Sequence, residues 1–275
     1  MVGFEYRRAH SVDEAVRLLA SAGDARLLAG GMTLIPALKH RLCSPQLLVD
    51  IGRIESLRTI EGQTGGKGAE EVQGAVWRVG AAVRHAELAA HPGMRRQIPA
   101  LCALASGIGD PQVRARGTVG GSLANNDPAA DYPAAVLGLG ARIHTNLRTI
   151  PADAFFQGMF TTLLEEHEIL TGVEFPVPRR AGYCKFPHPA TGYAMAGVFV
   201  AELSSGTARV AVTGVAQGVF RWQEAESALQ RGERLPALVR EDLLNDMHAS
   251  GPYRAHMAQV MLQRAVDAWT FGKEG

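Results

Sequence analysis

The chain has 275 residues, 47% hydrophobic and 20% charged, which suits a folded protein of one large domain or two ordinary ones and excludes a disordered chain. Its 28 basic and 27 acidic residues leave a net charge of +1, which argues against nucleic acid or an anionic membrane as the main partner. No apolar run reaches the roughly 18 residues of a membrane span. The stretch "MVGFEYRRAHSVDEAV" has no secretory h-region, and Cys43, Cys102 and Cys184 are too scattered for a disulfide framework, so a cytoplasmic location is expected.

In chain order, "SVDEAVRLLASAG" (11–23) predicts an amphipathic helix. Ser11 caps it, Glu14 takes the capping-box position, and Gly23 ends it; Val12, Ala15, Val16, Leu18 and Leu19 form the buried face. "ARLLAGGMTLIPALKHRL" predicts a short apolar strand, a Gly-Gly turn and a helix from Thr33, and "QLLVDI" (46–51) a buried strand. The polar, glycine-rich stretch 61–74 predicts an exposed hairpin loop between "SLRTI" and "AVWRVGAAV". Its "GGKG" is not a phosphate loop, because the GxxxxGK[ST] spacing fails and no hydroxyl follows Lys67.

"HAELAAHP" and "IPALCALASGIG" read as helices, and "AAVLGLGARIHT" as a helix running into a strand. "EEHEILTGVEFPVP" (165–178) closes a region on a strand and two prolines. Beyond it, "GYAMAGVFVAEL", "ARVAVTGVA", two helical stretches and "YRAHMAQVMLQRAVDAW" predict a smaller α+β domain, with the boundary in "PVPRRAG". No internal repeat is visible.

Two glycine turns are candidate sites. In "AGGMT" (29–33) adjacent glycines let backbone N–H groups point one way and let a ligand approach without a Cβ in between. A helix starting at Thr33 adds its dipole, which suits a pyrophosphate, although a tight strand-to-helix turn needs the same residues. "TVGGS" (118–122) repeats the logic, with hydroxyls on both sides. Asn125, Asn126, Asp127 and Asp131 follow it; capping and Asx-turns account for one or two of them, Asp131 as the cap of "YPAAVLGLGA". Taken together, the turns suggest one diphosphate held from two sides by backbone amides. The GxGxxG fingerprint and the βαβ alternation of a Rossmann half are missing, so the dinucleotide site is expected in another fold.

"LLAGGMTLIPALKHRL" with "ARGTVGGSLANNDPAADYPAAVLGLGA" resembles the FAD-binding medium subunit of the molybdenum hydroxylases, the family of carbon monoxide dehydrogenase, bacterial xanthine dehydrogenase and related aldehyde dehydrogenases. The pattern AGGxxL…TxGGxxxNxDPxxDxP is long, and the resemblance extends through "EILTGVEFPVP", "YCKFPHPATGYAMAGVFVA" and "YRAHMAQVMLQRAV". It implies an α+β fold: a two-lobed FAD-binding domain of the vanillyl-alcohol-oxidase type over 1–177, with sublobes of about 1–57 and 58–177, and a C-terminal α+β domain over 178–275.

By the same resemblance Ala29, Gly30, Gly31, Met32, Thr33 and Leu34 wrap the pyrophosphate from one side, and Thr118, Val119, Gly120, Gly121 and Ser122 meet the cofactor from the other. Asn125, Asp127 and Asp131 bind its polar parts, and Leu170 touches the flavin or adenine. Lys185 and Tyr193 approach the isoalloxazine ring, Lys185 placing positive charge beside it and Tyr193 shielding one face. Met32 stands where some carbon monoxide dehydrogenases have histidine.

Other chemistry finds no support in the sequence. The nine histidines form no HExxH, and there is no GxSxG elbow. Three scattered cysteines cannot make a four-cysteine iron–sulfur set, and no zinc site or covalent flavin link is suggested, so FAD is expected to be non-covalent. His167 and His188 read as surface residues, and "LLEEHE" (163–168) as a solvated turn. The implied function is an electron-transfer flavoprotein. Molybdenum cofactor and [2Fe–2S] clusters are expected only on partner chains, a large and a small subunit, in a dimer of heterotrimers. A self-sufficient FAD oxidoreductase and a non-catalytic nucleotide-binding protein stay open as alternatives.

Overall fold

The computed structural model describes residues 2–63 and 74–271, so most of the 61–74 loop lies outside the described residues. The first layer is a three-stranded parallel sheet, β1 (Glu5–Arg8), β2 (Ala25–Leu28) and β3 (Leu47–Asp50), in the order β1-β3-β2. Parallel neighbours need crossovers, supplied by α1 (Val12–Ala20) and α2 (Leu34–Lys39). Val49, Leu47, Ala15 and Leu19 form its small core. The Ser11 hydroxyl accepts from the Glu14 N–H as expected. Glu14 itself reaches the N–H of His10 rather than closing a box on Ser11, and α1 stops at Ala20, where the Ser21 hydroxyl caps the Leu18 carbonyl, short of Gly23.

The second layer is an antiparallel sheet of β4 (Ile60–Gln63), β5 (Val76–Gly80), β6 (Arg142–Thr145), β7 (Thr149–Pro151) and β10 (Leu170–Pro176), in the order β4-β5-β10-β6-β7. The small ribbon β8 (Phe156–Gly158) and β9 (Thr161–Thr162) precedes β10. Between β5 and β6 run six short helices: α3 (His85–Ala90), α4 (Pro92–Gln97), α5 (Pro99–Ser106), α6 (Pro111–Arg116), α7 (Val119–Asn125) and α8 (Tyr132–Gly138). A further turn, α9 (Ala152–Phe155), follows β7. Proline opens α4, α5 and α6, where its missing N–H costs nothing. Helices α4, α6 and α7 are additional to the sequence expectation. The glycines of "TVGGS" lie inside the first turn of α7, not in an open loop.

The chain then enters a third layer, an antiparallel sheet of β11 (Arg180–Pro187), β12 (Ala194–Glu202), β13 (Ala208–Thr213), β14 (Phe220–Arg221) and β15 (Thr270–Phe271), in the order β14-β13-β12-β11-β15. Helix α10 (Gln223–Arg231) and the long α11 (Gly251–Asp267) pack with it around Val198, Val200, Val212, Trp222 and Met261. Only one helix lies between β14 and α11, where two were expected. The second stretch is irregular: Leu243 bridges to Ala216, and Asp246 accepts from the N–H groups of His248 and Ala249 in an Asx-turn that opposes helix.

The middle core does not stop at the expected boundary. It runs from Val119, Tyr132 and Val173 into Phe199, Ala201 and Ala211 of the third sheet. Gly138 lets α8 approach β12 closely, since a Cβ there would meet the Phe199 ring at 2.9 Å. Among the described residues no helix is long and apolar enough to cross a membrane.

Candidate functional site

A cavity of about 580 Å³ opens where the three layers meet, within the size range of small-molecule sites. Its walls include Ala29, Gly30, Gly31, Met32, Thr33 and Leu34 from the first layer. The second layer contributes Thr118, Gly120, Gly121, Ser122, Asn125, Asp127, Asp131 and Leu170, and the third contributes Tyr193. Residues some 160 positions apart in sequence, both glycine turns among them, thus line one space.

The β2–α2 turn is built to present donors. Gly31 has φ +76°, a left-handed conformation that glycine adopts at no steric cost. A Cβ on Gly30 would clash with the Arg116 carbonyl oxygen and lie 2.8 Å from the Gly117 Cα, so the two glycine segments touch. Ile35 and Ala37 donate back to the carbonyls of Gly31 and Thr33. Among the described residues, the amides of Gly30, Gly31, Met32, Thr33 and Leu34 meet no protein acceptor. Successive unpaired N–H groups at a turn form an anion cradle.

The second turn differs. Thr118 caps α7, its hydroxyl accepting from the Gly121 N–H at 3.2 Å. The Val119 and Gly120 amides donate to the Val83 and Ala81 carbonyls, and the Ser122 amide to the Thr118 carbonyl. Gly120 is where α7 meets the strand: a Cβ would come within 2.5 Å of the Ala81 Cβ and 2.8 Å of its carbonyl oxygen. Only the Gly121 Cα faces open space apart from the Thr118 hydroxyl. Val119 is fully buried in the core and does not line the cavity.

The acidic residues divide by role. Asp127 accepts from the Ala129 N–H in an Asx-turn, and Asn125 lines the cavity. Asp131 does not cap α8. Its carboxylate, 4% exposed, takes hydrogen bonds from the Tyr183 hydroxyl and the Lys185 ammonium, the latter 2.9 Å away at its nearest oxygen. Burial pushes the Asp131 carboxyl up, against the opposing pull of Lys185 and Tyr183. Burial also pushes the Tyr183 hydroxyl well up, and the neighbouring Asp131 charge adds to it.

Lys185 is therefore committed. Besides Asp131 it donates to the Gly107 carbonyl at 2.9 Å and the Gly192 carbonyl at 2.8 Å, which uses all three ammonium donors. It does not line the cavity. Instead it ties the end of α5, the 127–131 loop and the turn before Tyr193 together. Neighbouring bonds reinforce the grip: Ala194 N–H to Ala129, Gly214 N–H to Pro128, and the Thr213 hydroxyl within 2.9 Å of the Pro128 carbonyl. Tyr193 is 43% exposed at the cavity edge. Burial raises its hydroxyl pKa first, and the Asp127 and Asp131 charges add to the rise.

Several lining residues carry no sequence signal of their own: His85, Ile108, Gly109, Glu168, Thr191 and Gly192. Gly109 and Gly192 have φ +51° and +73°, and a Cβ on Gly192 would sit 3.6 Å from the Gly109 Cα. Glu168 is fully spoken for by Arg148, the Thr145 hydroxyl and the Glu165 N–H. Among the described residues no group of three or more His, Cys, Asp or Glu is placed to hold a metal, and the three cysteines are free thiols.

Comparison with known proteins identifies the family. Residues 2–178 match the family described as FAD binding domain in molybdopterin dehydrogenase. The carbon monoxide dehydrogenase medium chain of Hydrogenophaga pseudoflava is 34% identical over 289 residues, covering 96% of each chain. The nicotine 6-hydroxylase medium subunit of Paenarthrobacter nicotinovorans is 31% identical over 279 residues, covering 95% of each. Among solved structures, a chain of the cyanide-inactivated Cu,Mo-CO dehydrogenase superposes with a TM-score of 0.84 at 32% identity, covering 97% of this chain and 98% of that one.

Proposed function

This chain belongs to the FAD-binding family of the molybdopterin dehydrogenases, and we propose that it is the subunit that passes electrons from [2Fe–2S] clusters on a partner chain to an external acceptor. It is an oxidoreductase subunit and its cofactor is FAD, while the molybdenum and iron–sulfur groups belong to other chains. The observation that carries the reading is the row of unpaired amides at Gly30–Leu34, set in a cavity that three layers close together. A diphosphate fits that donor set, and the left-handed Gly31 gives it close backbone approach.

When bound, the flavin supplies reversible acceptance of electrons singly or in pairs, which lets it join one-electron clusters to other acceptors. The protein supplies the holding. The Gly30–Leu34 amides take the pyrophosphate, and Thr118, Gly121, Ser122, Asn125 and Asp127 form the opposite wall. Leu170 gives an apolar surface for a ring, and Tyr193 stands at the opening, where it would shield a bound ring. Lys185 and Asp131 fix the turn that carries Tyr193.

The fold reading is a two-lobed FAD domain of the vanillyl-alcohol-oxidase type over 1–177, divided near 57, with a C-terminal domain over 178–275. The change of sheet between β10, ending at Pro176, and β11, starting at Arg180, supports that division. The cofactor is held without a covalent bond, the complex is a cytoplasmic dimer of heterotrimers, and substrate choice lies with the large subunit. Two relatives of similar identity are named for carbon monoxide and nicotine, which supports placing the specificity elsewhere.

Purified chain tests this directly. It should show the two visible flavin bands and release FAD in acid, and expression beside its neighbours should bring down molybdenum and iron–sulfur chains. Colourless protein that takes up no FAD overturns the reading, while flavoprotein that turns over substrate alone would favour a self-sufficient oxidoreductase.

A further inference from the structure

Tyr193 reaches the cavity edge on a tight turn, and the residue that starts the turn also closes it. The His188 N–H donates to the Tyr193 carbonyl at 2.7 Å, and the Gly192 N–H donates to the His188 carbonyl at 2.9 Å. Gly192, at φ +73°, makes the reversal. Inside the turn the His188 imidazole acts as a cap: its Nδ1 accepts from the N–H groups of Ala190 and Thr191, both at 3.3 Å. Thr191 and Gly192 line the cavity beside Tyr193, so the ring supports a piece of the wall that it does not join.

The far side of the same ring meets a second imidazole. His188 Nε2 lies 3.4 Å from His248 Nδ1, with ring centroids 4.5 Å apart and planes at 78°. His248 is itself anchored. Its N–H donates to Asp246, whose other carboxylate oxygen takes a 2.6 Å bond from Arg254. Arg254 also donates to the carbonyls of Met195, just beyond Tyr193, and Gly214.

Donor counting fixes the protonation state. A ring nitrogen that accepts from two amides carries no proton, so the proton is on His188 Nε2, which donates to a bare His248 Nδ1. Every bond in this relay needs both rings neutral. A proton on His188 Nδ1 would face two amide N–H groups, and one on His248 Nδ1 would face the His188 N–H. Histidine is the side chain that changes charge between about pH 5 and 8. The half-buried His188 and the exposed His248 are open to solvent protons. The charged groups around them are engaged elsewhere: Lys185 on the Gly192 carbonyl, and Asp246 with Arg254. The Arg254 bond holds the Asp246 carboxyl down to about 2, so that support persists in acid. Asp127 and Asp131 act on the Tyr193 hydroxyl beyond the turn.

We propose that His188 is a positioning residue for Tyr193: an acid-released clasp whose neutral imidazole folds the 188–193 turn and so sets how closely Tyr193 covers the cavity opening. What Tyr193 covers rests on the FAD reading above; the clasp rests on its own geometry.

The test uses full-length chain, flavin-free and FAD-loaded, at about pH 8 and about pH 5. Hydrogen exchange of flavin-free chain is read as protection factors, which removes the intrinsic effect of pH. The Ala190 and Thr191 amides should be about ten-fold less protected in acid, the scale of losing ordinary hydrogen bonds. Quenching of bound flavin by a neutral solute such as acrylamide should rise over the same range. His188→Ala should show the low protection at both pH values. His188→Asn, whose Oδ1 accepts from the same amides but does not titrate, should keep the protection and lose its pH dependence. Wild-type protection that ignores pH, His188→Ala as protected as wild type, or His188→Asn that follows pH as wild type does overturns the proposal. So does a turn that loosens in acid while access to the flavin stays constant. If wild-type chain binds no FAD at either pH, it is the function reading that fails, and amide exchange still decides the clasp.

Discussion

The segments 29–34 and 117–131 look alike in sequence, each a Gly-Gly pair with a hydroxyl residue close by, yet the structure uses them in opposite ways. In the first, five successive amides are unpaired and Gly31 is left-handed. In the second, the amides of Val119, Gly120, Gly121 and Ser122 already have acceptors, and Gly120 exists so that α7 can touch Ala81. The first is a donor surface, and the second is a rigid wall fastened to the third layer through Asp131. A glycine pair therefore reports close approach, but only the hydrogen-bond accounting tells whether ligand or protein does the approaching.

The largest effect should come from unfastening the wall. Lys185→Met leaves the buried Asp131 carboxylate without its cation, which costs about 3–5 kcal/mol. Thermal unfolding should fall accordingly, and Lys185→Met with Asp131→Asn should recover most of it. A Lys185→Met chain as stable as wild type would mean the pair does not fasten the wall. Gly120→Val comes next. Its clash is with the Ala81 backbone and cannot be relieved by a rotamer, so destabilisation at the upper end of the overpacking range, about 3 kcal/mol, is expected. The measurement is denaturant unfolding of flavin-free chain. Unchanged stability with flavin lost would make the two segments equivalent after all.

Much of this was legible in the sequence. The strands at "AVWRVG" and "EILTGVEFPVP" were legible, though not their antiparallel pairing as β5 and β10, and both glycine pairs line one cavity. What was hidden depended on tertiary partners. "TVGGS" reads as a turn because two glycines disfavour helix, but α7 is held by the Thr118 cap and by bonds to Val83 and Ala81 that no local rule contains. The pairing of Lys185 with Asp131 spans 54 positions, which no local pattern shows. His85, in an ordinary helical stretch, carried no pattern, although it lines the cavity.

The remaining two substitutions separate binding from stability. Gly31→Val forces a β-branched residue to φ +76°, at about 1–2 kcal/mol, and its Cβ meets the flexible end of Ile35 rather than backbone. Flavin-free chain should lose only that much stability, while the FAD Kd rises by about ten-fold or more as the cradle distorts. Fluorescence titration beside thermal unfolding gives both numbers. A Gly31→Val chain that kept full FAD affinity would remove the first segment from the site.

Thr118→Ala should be the mildest. It removes the cap of α7, which costs about 1 kcal/mol, and it frees the Gly121 amide that the hydroxyl had engaged. If the second segment is a wall, stability falls by that amount and FAD affinity changes by less than about three-fold, because the freed amide replaces what the hydroxyl offered. If the hydroxyl itself binds the diphosphate, affinity falls well beyond the stability loss. Thr118→Ser, which keeps the cap oxygen, then decides the cause: recovery of stability and affinity together means the oxygen serves through the helix, and recovery of affinity alone means it serves the ligand.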